Sequence, residues 1–298
     1  MLCDYHVHTI YSDDSVYKME DVIKDGIKKG INELCFTDHV DYGIKRDVDD
    51  PLGPVYLNGQ PISNVDYPEY YKEYLYLKEK YKDQMTLKFG LEFGIQVHTI
   101  PKYDALFKQY PFDFIILSIH QVGDLEFWTG DYQKGRTEKE YYERYYQELY
   151  DVVNLYHDYS VLGHMDLIKR YDDHDGYDSF NNHKEMITQI LETVIKDGKG
   201  IEINTSSVRY EIGDLTPSRD ILKLYLKLGG TIITIGRQFG SAGREIGEKV
   251  AAYFGIKCYD KELLTRAAKE SGFCEEMIQN HDERPTNSFL YNLVMDTY

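Results

Sequence analysis

The chain has 298 residues, 42% of them hydrophobic, and 51 acidic against 34 basic side chains, a formal net charge of -17 at pH 7. That length allows a large core, as one barrel-sized domain or two smaller ones, and the acidity opposes a phosphate backbone, which argues against general nucleic-acid binding. No basic-then-apolar leader opens the chain and no uncharged apolar run is long enough to span a bilayer, so a soluble cytoplasmic protein without a membrane partner is expected. The four cysteines, Cys3, Cys35, Cys258 and Cys274, are scattered and form no disulfide framework. The 29 tyrosines read as compositional bias.

In chain order, short apolar runs alternate with amphipathic stretches, which predicts successive βα units around parallel strands. Leu2 to His8 reads as a strand, and Tyr17 to Gly30 as a helix with Val22, Ile23 and Ile27 on one face. Ile31 to Thr37 is a second strand that runs into Asp38 and His39, and Val40 to Pro68 reads as a long loop over a strand end. A helix over Tyr70 to Lys82 precedes a strand over Met85 to Leu91 that ends in Glu92; the next strand, Phe112 to Ile119, is followed by His120. The helix Glu138 to His157 leads to a strand at Ser160 to Gly163, then His164 and Asp166. Helices over His183 to Lys196 and Arg219 to Leu228 alternate with strands over Gly200 to Asn204 and Thr231 to Ile235.

Residues two apart on a strand share a side, so His6 and His8 present two imidazoles to one point. In a barrel of parallel strands, side chains at the C-terminal ends converge on one rim, where His6, His8, His39, Glu92, His120 and His164 are expected. A single histidine is more often a core residue bonded to a carbonyl, and His98, His157, His174, His183 and His281 are read that way. Five histidines and a bridging glutamate suit Zn, Mn or Fe in a cluster of two or three ions. Such a cluster acidifies a bound water toward hydroxide and stabilises charge on a phosphoryl group, so hydrolysis of a small-molecule phosphate ester fits.

The segments His6-Val7-His8-Thr9, Ser12-Asp13-Asp14, Thr37-Asp38-His39, Gly90-Leu91-Glu92, Ser118-Ile119-His120 and Gly163-His164-Met165-Asp166 resemble the successive motifs of the polymerase and histidinol phosphatase (PHP) superfamily. Asp166 to Tyr171 and Glu202-Ile203-Asn204-Thr205-Ser206 with Arg209 resemble its monofunctional histidinol-phosphatase branch, which releases L-histidinol from L-histidinol phosphate in histidine biosynthesis. The resemblance covers residues 1 to 236 and implies an α/β fold, a distorted (βα)7 TIM-like barrel. It implies that His6, His8 and Glu92 hold a first metal, that Glu92 bridges to a second completed by His120 and His164, and that Asp14 and His39 serve a third. Asp14 lies six residues past His8, but the adjacent Asp13 leaves that choice open. Arg170 and Arg209 would grip the substrate phosphate, each weighed against a surface ion pair. Asp38 and Asp166 would orient ligands, with Asp166 also placed to shuttle the leaving-group proton. Glu92 and Asp166 are thus the expected catalytic carboxylates.

The chain departs from that family after its last strand. The family carries Asp-x-His there, completing the first and third metal sites, whereas Arg237-Gln238-Phe239-Gly240 places Gln238 and Gly240 at those positions. From Ile233 through Gly247, and again at Tyr259 to Leu264 and Ala267 to Gly272, the sequence resembles the beginning of the cytidylate-kinase-like family. Gly240, Ser241, Gly243 and Arg244 would cradle a nucleotide phosphate, as a glycine-rich turn before a helix can. Only about 60 residues follow the junction, too few for a whole kinase. The simplest account is a fusion in which two genes were joined and each lost part of itself. Thr231 to Gly236 then remains the last barrel strand, and Arg244 to Phe254, with Ile246, Val250 and Ala251 on one face, docks as the final helix. The expectation is a barrel over 1–236 with a partial kinase-like extension over 237–298, acting as a histidinol-phosphatase impaired by lost ligands. The alternatives are a silent metal- and phosphate-binding barrel, and a nucleotide-binding fragment.

Overall fold

A computed structural model describes residues 3–57, 59–172, 176–208, 210, 212–236, 249–253 and 255. Arg209, Gln238, Gly240, Ser241, Gly243, Arg244, Ile246, His174 and His281 lie outside the described residues. The chain runs β1 (Cys3–Val7), α1 (Met19–Lys28), β2 (Glu33–Val40), β3 (Val55–Leu57), β4 (Gln60–Ile62), α2 (Tyr67–Tyr81), β5 (Thr86–Gly94), α3 (Ile100–Phe107) and β6 (Phe114–Ser118). It continues through α4 (Glu138–Leu155), β7 (Val161–Leu162), α5 (Ser179–Lys196), β8 (Gly200–Asn204), α6 (Arg219–Lys227) and β9 (Ile233–Gly236). Seven strands form one curled parallel sheet in the order β1-β2-β5-β6-β7-β8-β9, and β3 and β4 make a separate hairpin. Parallel pairing follows from the helical crossovers, which return the chain to the same end of the sheet before each new strand.

The expected alternation holds, and the differences have local causes. The β2–β5 ladder extends to Val40 opposite Phe93, so Asp38, His39 and Glu92 lie inside strands rather than just after them. A sheet buried on both faces does not end at its first polar residue when that residue finds partners. α2 begins at Tyr67, three residues earlier than expected: the Asp66 carboxylate accepts from the Glu69 amide at 3.2 Å, and Pro68 sits in the first turn, where its missing N–H costs nothing. α5 likewise begins at Ser179, with Asp178 accepting from the Asn181 amide at 3.0 Å and a kink at His183. Helix α3 is not foreshadowed by the sequence pattern, and the expected loop over Val40 to Pro68 contains the β3–β4 hairpin.

The tyrosines have a structural use beyond composition. Tyr70, Tyr74 and Tyr103 are buried, and their hydroxyls donate to the carbonyls of Gly90, Leu87 and Val40 at 3.1, 3.2 and 2.8 Å. Each phenol covers apolar surface and satisfies a carbonyl that would otherwise be left unpaired. At Gly90 a Cβ would meet the Phe114 carbonyl oxygen at 2.4 Å, so only glycine lets β5 and β6 approach at that point.

The junction keeps its strand. β9 pairs with β8 in register, Ile201 opposite Ile233 and Glu202 opposite Thr234. Beyond it, residues 249–253 are helical, Val250 and Ala251 are 9% and 6% exposed, and Val250 joins the hydrophobic core. The segment that resembles a kinase thus supplies apolar packing to the barrel. Val250→Asp places an unpaired carboxylate in that packing and is expected to destabilise the fold by roughly 2 kcal/mol, a fall of about 4–8 °C in the midpoint of thermal melting. An unchanged midpoint would show that this segment contributes nothing to the barrel.

Candidate metal centre

Glu92 sits on β5 at the middle of the rim, 0% exposed, with imidazoles on every side. Its Oε2 lies 2.9 Å from His6 Nε2, 3.1 Å from His8 Nε2 and 3.4 Å from His39 Nδ1. Its Oε1 lies 3.1 Å from His120 Nε2 and 2.9 Å from His164 Nε2, and accepts from Ser118 Oγ at 2.7 Å. The topology explains this convergence. His6 is on β1 and His39 on β2, directly opposite Glu92 in the ladder, while His8, His120 and His164 each follow a strand within two residues.

Ligand atoms fall within 4.8 Å of one another in the sets His6–His8–Glu92, Glu92–His120–His164 and His8–Asp14–His39. The structure thus brings together all seven residues expected as metal ligands. It separates the two adjacent aspartates: Asp14 Oδ2 is 2.9 Å from His8 Nδ1 and 3.6 Å from His39 Nε2, whereas Asp13 turns away to bind Lys45 at 2.5 Å.

The charges lock each other's protonation. Burial opposes a charge on His8 and His120, but the neighbouring carboxylates outweigh it and push them up to about 9 and about 10. His6 is driven the same way by Glu202 and Glu92. Against its own burial, Glu92 is held well below the ordinary carboxylate range by His6, His39 and His120. His164, where burial dominates, is shifted down and stays neutral.

Three acidic groups brace the centre from behind. The Asp38 carboxylate accepts from the Thr9 amide at 2.6 Å and from Ser12 Oγ at 2.7 Å, fixing the turn that carries Asp14. Glu202 Oε1 lies 2.5 Å from His6 Nδ1, and its Oε2 accepts from the His164 amide at 3.2 Å. Asp41 Oδ1 lies 2.8 Å from His120 Nδ1. Glu202, Asp41 and Lys45 are not among the functional residues expected from the sequence. Glu202 was within reach, lying on the strand after α5, but nothing local marks Asp41, whose partner is 79 residues away.

An open cleft of about 1280 Å³ rises from this floor, lined among others by Arg170, Tyr210, Trp128 and Lys45. Arg170 donates through Nη2 to Ser206 Oγ at 2.5 Å, stacks over Tyr210 at 4.5 Å, and keeps a buried Nε with no hydrogen-bond partner. Asp166 is not part of the cleft wall. Its Oδ2 accepts from Lys169 at 2.7 Å and from the Ser218 amide at 2.8 Å, and burial raises its pKa. His98, His157 and His183 lie away from the centre as expected, but their partners are Asp124, Asp197 and the Tyr177 hydroxyl rather than carbonyls, and the first two are half exposed.

Imidazole nitrogens and carboxylates aimed at shared points are the donor set of a borderline divalent cation, and His39 Nδ1 is buried with no hydrogen-bond partner. A curled parallel sheet with such a centre on its rim defines an α/β half-barrel whose donor set suits divalent metal. Residues 4–206 match the PHP domain model, and residues 232–298 match that of the cytidylate kinase-like family. The chain belongs to the PHP domain family. It is 31% identical to a histidinol-phosphatase of Lactococcus lactis over 81% of this chain and 85% of that protein. It is 29% identical to a probable histidinol-phosphatase of Clostridium acetobutylicum over 79% of this chain and 85% of that protein. The crystal structure of a histidinol phosphate phosphatase from Lactococcus lactis, complexed with zinc, L-histidinol and phosphate, superposes with a TM-score of 0.72 at 28% identity, over 86% of this chain and 94% of that one. No described helix is long and apolar enough to cross a membrane.

Because His8 and His120 carry protons in the metal-free protein below about 9 and about 10, each ion must displace protons to bind. Metal affinity is therefore expected to rise as pH increases from 6 to 8, with protons released. Zn titrations by calorimetry in two buffers of different ionisation enthalpy read both, and an affinity flat with pH would contradict the protonation pattern.

Proposed function

We propose that the chain is a metal-dependent phosphomonoesterase that hydrolyses L-histidinol phosphate to L-histidinol and phosphate. The observation that carries this reading is the closure of five imidazoles on buried Glu92 at the floor of a cleft that also presents Arg170. The relatives named for that activity support it. His6, His8 and Glu92 would hold one ion, Glu92, His120 and His164 a second, and Asp14 with His39 a third. Ions held there would supply Lewis-acid polarisation of the phosphoryl group and a water acidified toward neutral pH.

The chain's own residues do the rest. Glu92 offers one carboxylate oxygen toward His6 and the other toward His120, so it would hold a cation on either side of the centre. Arg170, its plane fixed by Ser206 and Tyr210, presents N–H donors to phosphate oxygens entering the cleft. Arg209, the second arginine of this role, lies outside the described residues. We assign Asp166 to bracing Lys169 and the start of α6 rather than to moving a proton, because it does not line the cleft.

Gln238 and Gly240 stand where the family places an aspartate and a histidine, so we infer fewer ions per chain and slower turnover than in an intact relative. The same departure favours one rival, a barrel that binds metal and a phosphorylated ligand without turnover.

Phosphate release from L-histidinol phosphate with Mn or Zn, beside metal content by elemental analysis, tests both. Release is expected, with a fall of at least about 100-fold in His120→Ala and of roughly 10–100-fold in kcat/KM in Arg170→Ala. The double variant Gln238→Asp/Gly240→His is expected to raise both metal content and turnover. Ligand binding without any release would establish the silent barrel instead.

A further inference from the structure

Between α1's preceding turn and the long segment after β2 lies a buried charged chain that the proposed reaction does not use. Lys45 Nζ sits 2.5 Å from Asp13 Oδ1 and 3.0 Å from Asp41 Oδ2, and Asp41 Oδ1 sits 2.8 Å from His120 Nδ1. Asp41 and Lys45 are 6% and 5% exposed. Burying a lysine and a carboxylate costs several kcal/mol unless each is paired in good geometry, and a purely structural need at this point is met more cheaply by apolar residues; Asp13, at the outer end of the chain, is part exposed. The surroundings hold the chain in one arrangement. The Asp41 amide donates to Asn64 Oδ1 at 2.9 Å, and Asn64 Nδ2 donates to Asp47 Oδ1 at 3.0 Å, so the segment from Asp41 to Asn64 is folded back on Asp41. On the neighbouring strand, Gly94 leaves the space: a Cβ there would lie 1.9 Å from Asp41 Oδ1 and 2.7 Å from His120 Nδ1.

We propose that Asp41, held by Lys45 and admitted by Gly94, is a positioning residue that fixes the ring of His120 so that its Nε2 lone pair faces the second metal site. An acceptor on Nδ1 keeps that nitrogen protonated and leaves Nε2 free for a cation, and it stops rotation about the Cβ–Cγ bond. Lys45 occupies the other oxygen of Asp41 and so keeps this carboxylate out of the competing set His39–Asp41–His120, whose ligand atoms also lie within 4.8 Å of one another. The same cation draws Asp13 aside and leaves Asp14 alone facing His8 and His39. The long segment after β2 thereby acquires a role: it carries the cation and the amide that set Asp41.

The inference rests on the reading of His120 as a metal ligand, and the experiment separates the two. Zn stoichiometry and stepwise Zn affinity, by elemental analysis and chelator competition, are measured on the full chain and on His120→Ala, Asp41→Ala and Gly94→Ala, together with the melting midpoint of each metal-free protein. Asp41→Ala and Gly94→Ala are expected to weaken one ion selectively, by about 10–100-fold, leaving the remaining ions within about 3-fold. Cobalt(II) in place of zinc is expected to show a changed visible spectrum in Asp41→Ala, as the ring turns. Zn affinities unchanged in Asp41→Ala, or lowered for every ion in step with a fall in metal-free stability, would overturn the proposal while leaving the metal centre intact. Loss of no ion in His120→Ala would overturn the reading of the centre itself and this inference with it.

Discussion

Everything at the rim depends on keeping one carboxylate ionised although it is almost wholly withdrawn from water. An isolated buried carboxylate is far too costly to persist, and it neutralises or recruits partners. Glu92 recruits five imidazoles, and because both its oxygens are used, the partners fall into two groups on its two sides. That division sets two groups of donor atoms, His6 and His8 on one side and His120 and His164 on the other. The fold must therefore bring β1, β2 and β5 side by side and deliver the turns after β6 and β7 to the same end, which a curled parallel sheet does by construction.

The demand for compensation spreads outward from that floor. Two of the histidines that face Glu92 on one nitrogen are held by a second carboxylate on the other: Glu202 behind His6, Asp41 behind His120. Asp41 in turn requires Lys45, and Lys45 takes up Asp13. Charge thus alternates outward from Glu92, and it fixes the segment after β2 together with the apolar packing of Tyr42 and Val65. A tight turn that returns the Lys45 amide to the Asp41 carbonyl at 2.8 Å sets Lys45 beside Asp41, and Asn64 ties the later part of the segment back to the same residue.

The C-terminal junction shows how differently scaffold and chemistry tolerate replacement. An edge strand asks for a backbone ladder and apolar contact with the core: Ile233 to Gly236 supply the ladder against β8, and Ile233 packs against the core. A docking helix asks for small and branched residues on one face, which Val250 and Ala251 provide. These requirements are generic, so a segment resembling another family meets them. A metal ligand must be one of a few residue types at one position, and Gln238 and Gly240 are neither of the two the family uses.

Much of this was legible in the chain alone. Apolar runs alternating with amphipathic ones gave parallel βα units, and His6, His8, His39, Glu92, His120 and His164 were each recognisable because histidine or acid recurs at strand ends, while Asp14 came from the family resemblance and stayed open against Asp13. Strand ends were less legible, since β2 and β5 continue past their first polar residues, through His39 and Glu92, once those find each other across the ladder. Asp41, Lys45 and Gly94 were not legible: their meaning lies in contacts with His120, 79 residues from Asp41, and in a gap between strands. The sequence by itself determined which residue types stand at the rim, and hence the kind of ion and chemistry they suit, because ligand identity is a property of the side chain. Only the tertiary structure decided which aspartate faces the ions, which carboxylates stand behind the histidines and which cation holds them, because those choices are made by distances between segments remote in the chain.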